Sequence, residues 1–426
     1  MNFYGTLHGA FVNGLREILA HKMRSLLSMS GIILGVAALV AMVSIVQGMV
    51  GQFKGFIEMQ GGIEKITIST ESLPKEQEHL QDSAPGLTMT DVDAIRKLVP
   101  SVSHISPEVS VNFTTISRNG KEFRTRVTGT AADWLVINKR SVQKGRFLSD
   151  VDELSRAKVC VLGSLVVDEI FEPNENPIGQ AVKVGGEWFT VIGVLNEYQM
   201  GGGSRGKNDK RRGPSRWMNG GCYIPIHTAM TNYTSTDALS SLYVRISSSE
   251  QLYDTVPQLD RVMLQAHSGF QDYSITTNEE MLSEFKKTEN SFMISLGGVA
   301  FISLFIGGIG IMNVMLAAIN ERIREIGVRK AVGARGSDIF LQFLVETALV
   351  SSIGGLIGLA LSVGITSVVA HVMAGTQMGG GISAMSVSPS VMFAGFAFSV
   401  GIGILSGVYP ALRASRLDPI EALRYE

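Results

Sequence analysis

Three long uncharged stretches, one near the start and two in the last third, constrain this chain more than any other feature. No Asp, Glu, Lys or Arg occurs between Arg24 and Lys54, and "LLSMSGIILGVAALVAMVSIVQGMV" fills 26–50. A helix needs about 20 apolar residues to cross a bilayer, so this stretch predicts a span. It is too long for a signal-peptide core and no convincing A-x-A-like site follows it, so it reads as an uncleaved anchor. A second uncharged run, between Glu289 and Glu321, predicts a span at 291–320. The third, between Glu346 and Arg413, is too long for one helix. "AGTQMGGGISAMSVSPS" divides it, predicting spans at 339–373 and 390–410 around an extracytoplasmic loop at 374–389. Composition agrees: 18% of the 426 residues are charged, against about a quarter in soluble domains. The length leaves room for two or three domains.

Basic residues orient these spans. Arg16, Lys22 and Arg24 precede the first; Arg322, Arg324, Arg329, Lys330 and Arg335 lie between the second and third; Arg413, Arg416 and Arg424 follow the fourth. All three groups are expected on the cytoplasmic side, with both termini, which leaves 51–290 extracytoplasmic. The charge balance agrees: 11 of the 37 basic and 8 of the 38 acidic residues lie outside 51–290, leaving that segment with 26 and 30. A net charge of −1 excludes a strongly basic nucleic-acid binder. Two cysteines, Cys160 and Cys222, allow one disulfide at most.

Some 240 residues between the first two spans exceed any loop and predict a folded α+β domain. "KITIST" (65–70), "EVSVNFTTIS" and "EFRTRVTGT" read as strands. "TDVDAIRKLVP" reads as a helix with Thr90 at its N-cap and Asp93 three positions on. Late in the domain, "SLYVRIS" (241–247), a helical stretch at 250–267 and "YSITT" (273–277) repeat a similar order. The two halves flank a β-rich insertion at about 130–225, in which "AKVCVLG" and "EWFTVIGVL" are strands. The segment 201–221 holds six basic residues, one acid and seven glycines, and reads as a solvated loop or a docking site for an acidic partner or anionic lipid. "TTNEEMLSEFKK" opens with a capping box, Thr277 and Glu280. One continuous helix is expected from about 278 to 320, long enough to carry motion through the membrane.

The densest polar stretch lies between two apolar ones: "EIGVRKAVGARGSDI" (325–339). Its residues keep a helical pattern, with Ile319, Ile323 and Ile326 on one face and Glu325 spaced to pair with Arg329. Gly327 is expected to loosen the helix, Gly333 to stop it, and Ser337 or Asp338 to cap the next. Its mixture of glycines, valines and charges suits a docking surface as well as it suits a positive loop. At the other end, residues 1–25 predict an amphipathic helix in the cytoplasmic interface, with Phe3, Leu7, Phe11, Leu15 and Ile18 on one side. Small-xxx-small spacings at Gly31/Gly35, Ser303/Gly307, Gly354/Gly358 and Gly403/Gly407 allow close packing, within the chain or across a dimer. The span interiors hold no charge to mark an ion or proton path, apart from Glu346 near the start of the third. No P-loop, no H-E-x-x-H, no Cys/His cluster and no G-x-S-x-G occurs in the sequence, so no catalytic residue and no metal ligand is assigned.

"EIGVRKAVGAR" together with "GVYPALRASRLDPIEALRYE" (407–426) resembles the membrane subunit of macrolide-exporter-type ABC transporters, a class shared with lipoprotein-release and cell-division permeases. "VCVLGSLVVDEIF", "NPIGQAVKVGGEWFTVIGV" and "YIPIHTA" resemble the periplasmic core of that family, and the layout of one span, a large domain and three spans is the family's. The resemblance implies four transmembrane helices with an α+β extracytoplasmic domain, in a bacterial inner membrane. It implies a dimer with a second copy or a paralogue, and a separate ATPase subunit carrying ATP and magnesium, with no cofactor on this chain. It leaves room for a periplasmic adaptor and an outer-membrane channel. Glu325, Ile326, Gly327, Val328, Arg329, Lys330, Ala331, Val332, Gly333 and Ala334, within the cytoplasmic segment 321–338, would form the coupling helix that touches the ATPase. Pro419, Glu421, Ala422 and Leu423, in the tail 411–426, would lie near it. The implied function is export or extraction of a drug, peptide or lipidated cargo, moved outside the membrane rather than through a pore. The alternative is an ATPase-driven regulator that activates a cell-wall hydrolase outside the membrane.

Overall fold

A computed structural model describes residues 22–73, 79, 84–198, 214–234, 237–374 and 387–424. The amphipathic segment expected over 1–25 falls outside these but for its last residues, as do 201–213 of the basic glycine-rich segment and most of the 374–389 loop. The chain divides into two compact units, one built from 51–286 and the other from the spans.

In the first unit, ten strands form one sheet. They are β1 (Lys65–Thr70), β2 (Val102–Arg118), β3 (Lys121–Thr130), β4 (Val142–Gly145), β5 (Val159–Leu162), β6 (Ala181–Val184), β7 (Glu187–Leu195), β8 (Cys222–Pro225), β9 (Ser241–Ile246) and β10 (Tyr273–Thr277). Their order is β10-β1-β9-β2-β3-β8-β5-β7-β4, with β6 bridging β2 and β7. The strands from the two halves, β1 to β3 and β9 to β10, are thus neighbours, and the insertion's strands extend the same sheet past β3. The β2–β3 hairpin turns through Asn119 and Gly120, both at positive φ, the conformation that favours Asn-Gly in two-residue hairpins.

Two helices cover the end of the sheet formed by β10, β1, β9 and β2: α2 (Met89–Leu98) and α3 (Leu252–Ala266), α1 being the first span below. They bury Val92, Ile95, Leu259 and Met263 against Ile66, Ile68, Leu242 and Val244. The cap of α2 lies two residues earlier than the pattern at Thr90 and Asp93 suggested: Thr88 and Asp91 make the capping box. Both pairs have the same spacing, and Asp91 is selected because the fold also places it beside His267. The insertion has its own core around Cys160, Leu162, Phe189 and Cys222. Its two cysteines are buried free thiols, not a disulfide.

Among the described residues, the second unit contains four helices long and apolar enough to cross a membrane. They are α1 (Lys22–Met59), α4 (Asn278–Glu321), α6 (Gly336–Ala374) and α7 (Pro389–Ser415), with a short α5 (Ile323–Ala331) between the second and third. α4 spans 44 residues, about 66 Å at 1.5 Å per residue. Nothing interrupts it, and Thr277 and Glu280 cap its start as the sequence suggested: the Glu280 amide donates to Thr277 Oγ1 at 2.9 Å.

The small-residue spacings act within the chain. A side chain on Gly31 would meet the Gly307 backbone, so α1 and α4 touch backbone to backbone. Gly403 and Gly407 of α7 face Ser351 and Thr347 of α6. Ser303 does not join this packing; its hydroxyl donates back to Val299 O within α4. Ile32, Val36, Leu304, Ile311, Phe343 and Leu359 fill the core between the helices.

Candidate functional site

The polar segment between α4 and α6 folds as a tight hairpin. At Arg322 the backbone leaves helical geometry (φ −111°, ψ 13°), which ends α4 and starts α5 on a new axis. The expected continuous face of Ile319, Ile323 and Ile326 is therefore split between two helices. Gly333 then stops α5 at φ +105°; its amide donates to Lys330 O and that of Ala334 to Arg329 O, each at 3.0 Å. This is how glycine closes a helix C-terminus. The next helix is not capped by Ser337 or Asp338 from outside. Asp338 sits in its first turn and accepts from the Arg335 amide at 3.2 Å.

A short helix, α8 (Pro419–Arg424), lies against α5. Gly327 does not loosen α5. It stands mid-helix, where a Cβ would come within 2.7 Å of the Ala422 methyl, so glycine is the residue that lets the two helices meet. Ile326, Gly327 and Ala422 are buried. Lys330 makes the second attachment: its ammonium donates to Ser415 O and Leu417 O, both at 2.7 Å. Those carbonyls belong to the end of α7 and the turn after it, where a cation also complements the helix dipole. Arg329 donates to Gln342 Oε1 at 2.9 Å on α6 rather than pairing with Glu325.

The fourteen residues singled out from the sequence thus separate by role. Ile326, Gly327, Lys330 and Ala422 hold the hairpin together, with Ala334 packed partly into the membrane core. Glu325, Val328, Arg329, Ala331, Val332, Gly333, Glu421 and Leu423 face outward, and Pro419 is half-buried. Val332 is 84% exposed. Sequence reasoning passed over Ile420, which is 78% exposed on α8; its tell was a large apolar residue between charges at the start of a short helix. It also missed Ser415 and Leu417, the acceptors of Lys330, because a backbone carbonyl carries no sequence signal, and Gln342, the acceptor of Arg329, because the two lie 13 residues apart on different helices. Among the described residues no group of three His, Cys, Asp or Glu is placed to hold a metal ion.

Lys330→Gln is expected to weaken this attachment by about 2 kcal/mol, the scale of hydrogen bonds to a charged group. Faster amide exchange across 419–424 than in the native chain would show it. An unchanged exchange rate would mean that Gly327 and Ala422 suffice.

Fold and hairpin together define a polytopic permease: a large α+β domain after the first span, three further spans, and a polar hairpin between the second and third. The family described as "MacB-like periplasmic core domain" matches residues 25–262, and "FtsX-like permease C-terminal" matches 297–419. The chain belongs to the MacB-like family of ABC-transporter permeases, proteins of the inner membrane, and its α+β unit is the family's periplasmic domain. It is 31% identical over 424 residues to a macrolide export ATP-binding/permease protein, MacB, of Hyphomonas neptunium, covering 96% of this chain and 60% of that one. It is 32% identical over 429 residues to the pyoverdine export ATP-binding/permease protein PvdT of Pseudomonas putida, covering 99% and 61%. The chain thus spans about 60% of the length of the curated relatives it matches. The periplasmic region of MacB from Actinobacillus actinomycetemcomitans is similar at 19% identity and a TM-score of 0.43, over 54% of this chain and 95% of that one.

Proposed function

We propose that this chain is the membrane subunit of an ATP-driven exporter and takes its power from an ATPase on a partner chain, which docks on the outward face of α5 and α8. The observation that carries this reading is the clamp. A hairpin tied to α6, α7 and α8 by Arg329, Lys330 and the Gly327–Ala422 contact cannot flex freely, so a push on Val328, Val332 or Ile420 is passed to the spans. Exposed apolar side chains beside Arg324, Glu325 and Arg329 have the composition of a protein contact. In this reading the hairpin and both termini face the cytoplasm, as the basic residues suggest. ATP and magnesium are bound by the partner, and two permease copies or paralogues close together. α4 carries the movement to the periplasmic domain, which extracts a drug, peptide or lipidated cargo. The activities for which the relatives are named, macrolide and pyoverdine export, favour small exported molecules over activation of a cell-wall hydrolase.

The test is copurification with candidate ATPase chains, in the native protein and in Val332→Asp/Ile420→Asp, two exposed positions outside the clamp. Lys330 is left unchanged, because reversing its charge would dismantle the hairpin rather than probe its surface. Association is expected to fall at least tenfold with an unchanged melting temperature. An ATPase that binds both forms alike would remove the docking assignment.

A further inference from the structure

Within the periplasmic unit a cavity of about 380 Å³ is lined by residues of β1, β2, β3, β8 and β9 and of the segments beside them, inside the size range of ligand sites, roughly 300–1,000 Å³. Its walls are aromatic: Phe113, Phe123, Trp134, Tyr223 and Tyr243. The Trp134 and Tyr223 rings are 4.3 Å apart between centroids. Five cations line it, Lys65, Arg124, Arg126, Arg140 and Arg216, against one carboxylate, Glu108. This cluster stands out because segment 51–290 as a whole is acidic, with 26 basic and 30 acidic residues.

The floor is a built polar network. The buried Lys65 ammonium donates to Asn138 Oδ1 at 2.7 Å and lies 3.9 Å from the centre of the Tyr243 ring. Asn138 donates to Trp134 O, and the Trp134 indole donates to Glu108 at 3.3 Å. Burial pulls the Lys65 ammonium down to about 8, with Glu108 opposing. Burial likewise pushes the Glu108 carboxyl up against the pull of Lys65. The one acid present is thus biased toward its neutral form, while the arginines remain charged. Arg124 and Arg126 project from the same side of β3 and are exposed, and neither makes a side-chain hydrogen bond or ion pair among the described residues. A cleft lined by one sign of charge concentrates ligands of the other, and guanidinium groups match carboxylate and sulfonate oxygens in pairs.

We propose that this cavity binds a small amphipathic anion: a flat apolar body resting against the aromatic wall of Phe113, Phe123, Trp134 and Tyr223, and a carboxylate or sulfonate facing Arg124, Arg126 and Lys65. The site is independent of the ATPase reading, because its occupancy needs no partner chain.

The probe is naphthalene-1-sulfonate, titrated by calorimetry into the full chain in zwitterionic nanodiscs, with empty discs as blank. 1-Naphthylmethylammonium serves as its cationic counterpart. The sulfonate is expected to bind with micromolar affinity and the cation at least tenfold more weakly. Arg124→Glu/Arg126→Glu is expected to weaken the sulfonate at least tenfold. Arg96→Glu/Lys97→Glu, an exposed pair on α2 with the same change of charge, should leave it unchanged. Matching melting temperatures establish that both variants are folded. Failure of the sulfonate to bind the native chain, equal binding of the cation, or equal losses in the two double variants would overturn the proposal.

Discussion

Gly31→Leu is expected to prevent the spans from packing and to remove most folded protein from a detergent extract. A Cβ at position 31 would stand 2.5 Å from Gly307 Cα, a separation that real side chains do not tolerate. The opposing atom is backbone, so no rotamer change relieves the clash and α1 must move away from α4. That movement would also unseat Ile32 and Val36, which are fully buried in the same layer. Overpacking a core costs about 1–3 kcal/mol when side chains can shift. Here they cannot, so the cost lies at or above the upper end of that range. Gly364→Leu is the matched control. Position 364 lies on an exposed side of α6, where a Cβ would meet no atom within 4 Å, and a leucine there regains helix propensity of about 1 kcal/mol. Fluorescence-detected size exclusion after a heating series distinguishes them. Gly31→Leu should lose its monodisperse peak while Gly364→Leu keeps the native midpoint or exceeds it. A native-like midpoint for Gly31→Leu would mean that α1 and α4 do not meet at these glycines.

The comparison of Gly31 with Gly364 also shows what the sequence could reveal. Uncharged length, with the glycine-serine stretch that divides the last run, pointed to four spans, because a bilayer tolerates few charges and imposes a minimum helix length. It did not say which glycines face a neighbour: Gly31 and Gly364 read alike in the one-letter code and differ only in what lies across from them. The same limit applied at the hairpin. Gly327 had the look of a flexible point and is a contact with Ala422; Lys330 had the look of a docking charge and holds two carbonyls. Local signals such as the Thr277–Glu280 box and the Gly333 stop were legible because they depend on residues three or four apart. The periplasmic cavity was not, since Lys65, Glu108, Arg126, Trp134, Tyr223 and Tyr243 come from six separate segments that only the strand order brings together.

His267→Ala is expected to cost about 3–5 kcal/mol, the scale on which breaking a buried ion pair destabilises a protein. His267 is 1% exposed and lies between Asp91 and Asp272, which are equally hidden. Its Nδ1 bonds Asp272, and its Nε2 is 3.3 Å from Asp91. Each carboxylate also organises backbone: Asp91 accepts from the Thr88 amide at 2.7 Å to start α2, and Asp272 from the Gly86 amide at 2.8 Å. One imidazole thus joins the start of α2, the end of α3 and the entry to β10. Alanine would leave two carboxylates buried without it. For a domain of this size each kcal/mol shifts the midpoint by about 2–4 °C, so the periplasmic transition should fall by roughly 6–20 °C. Burial disfavours the imidazolium, yet hydrogen bonds and charge from Asp91 and Asp272 outweigh it, and the pKa of His267 is raised. A folded pKa above the unfolded value of about 6.5 means that its stabilisation is complete below that pH. It is lost as pH rises through the folded value. Lys65 has the opposite sign: its folded pKa is about 8 against 10.5, so its burial penalty is relieved as pH rises above 8. The diagnostic is therefore the difference between the native chain and His267→Gln, which keeps a hydrogen-bonding side chain but cannot titrate. That difference should be largest near pH 6 and shrink as pH rises. A gap that stays constant with pH would show that His267 is neutral in the fold and acts through hydrogen bonds alone.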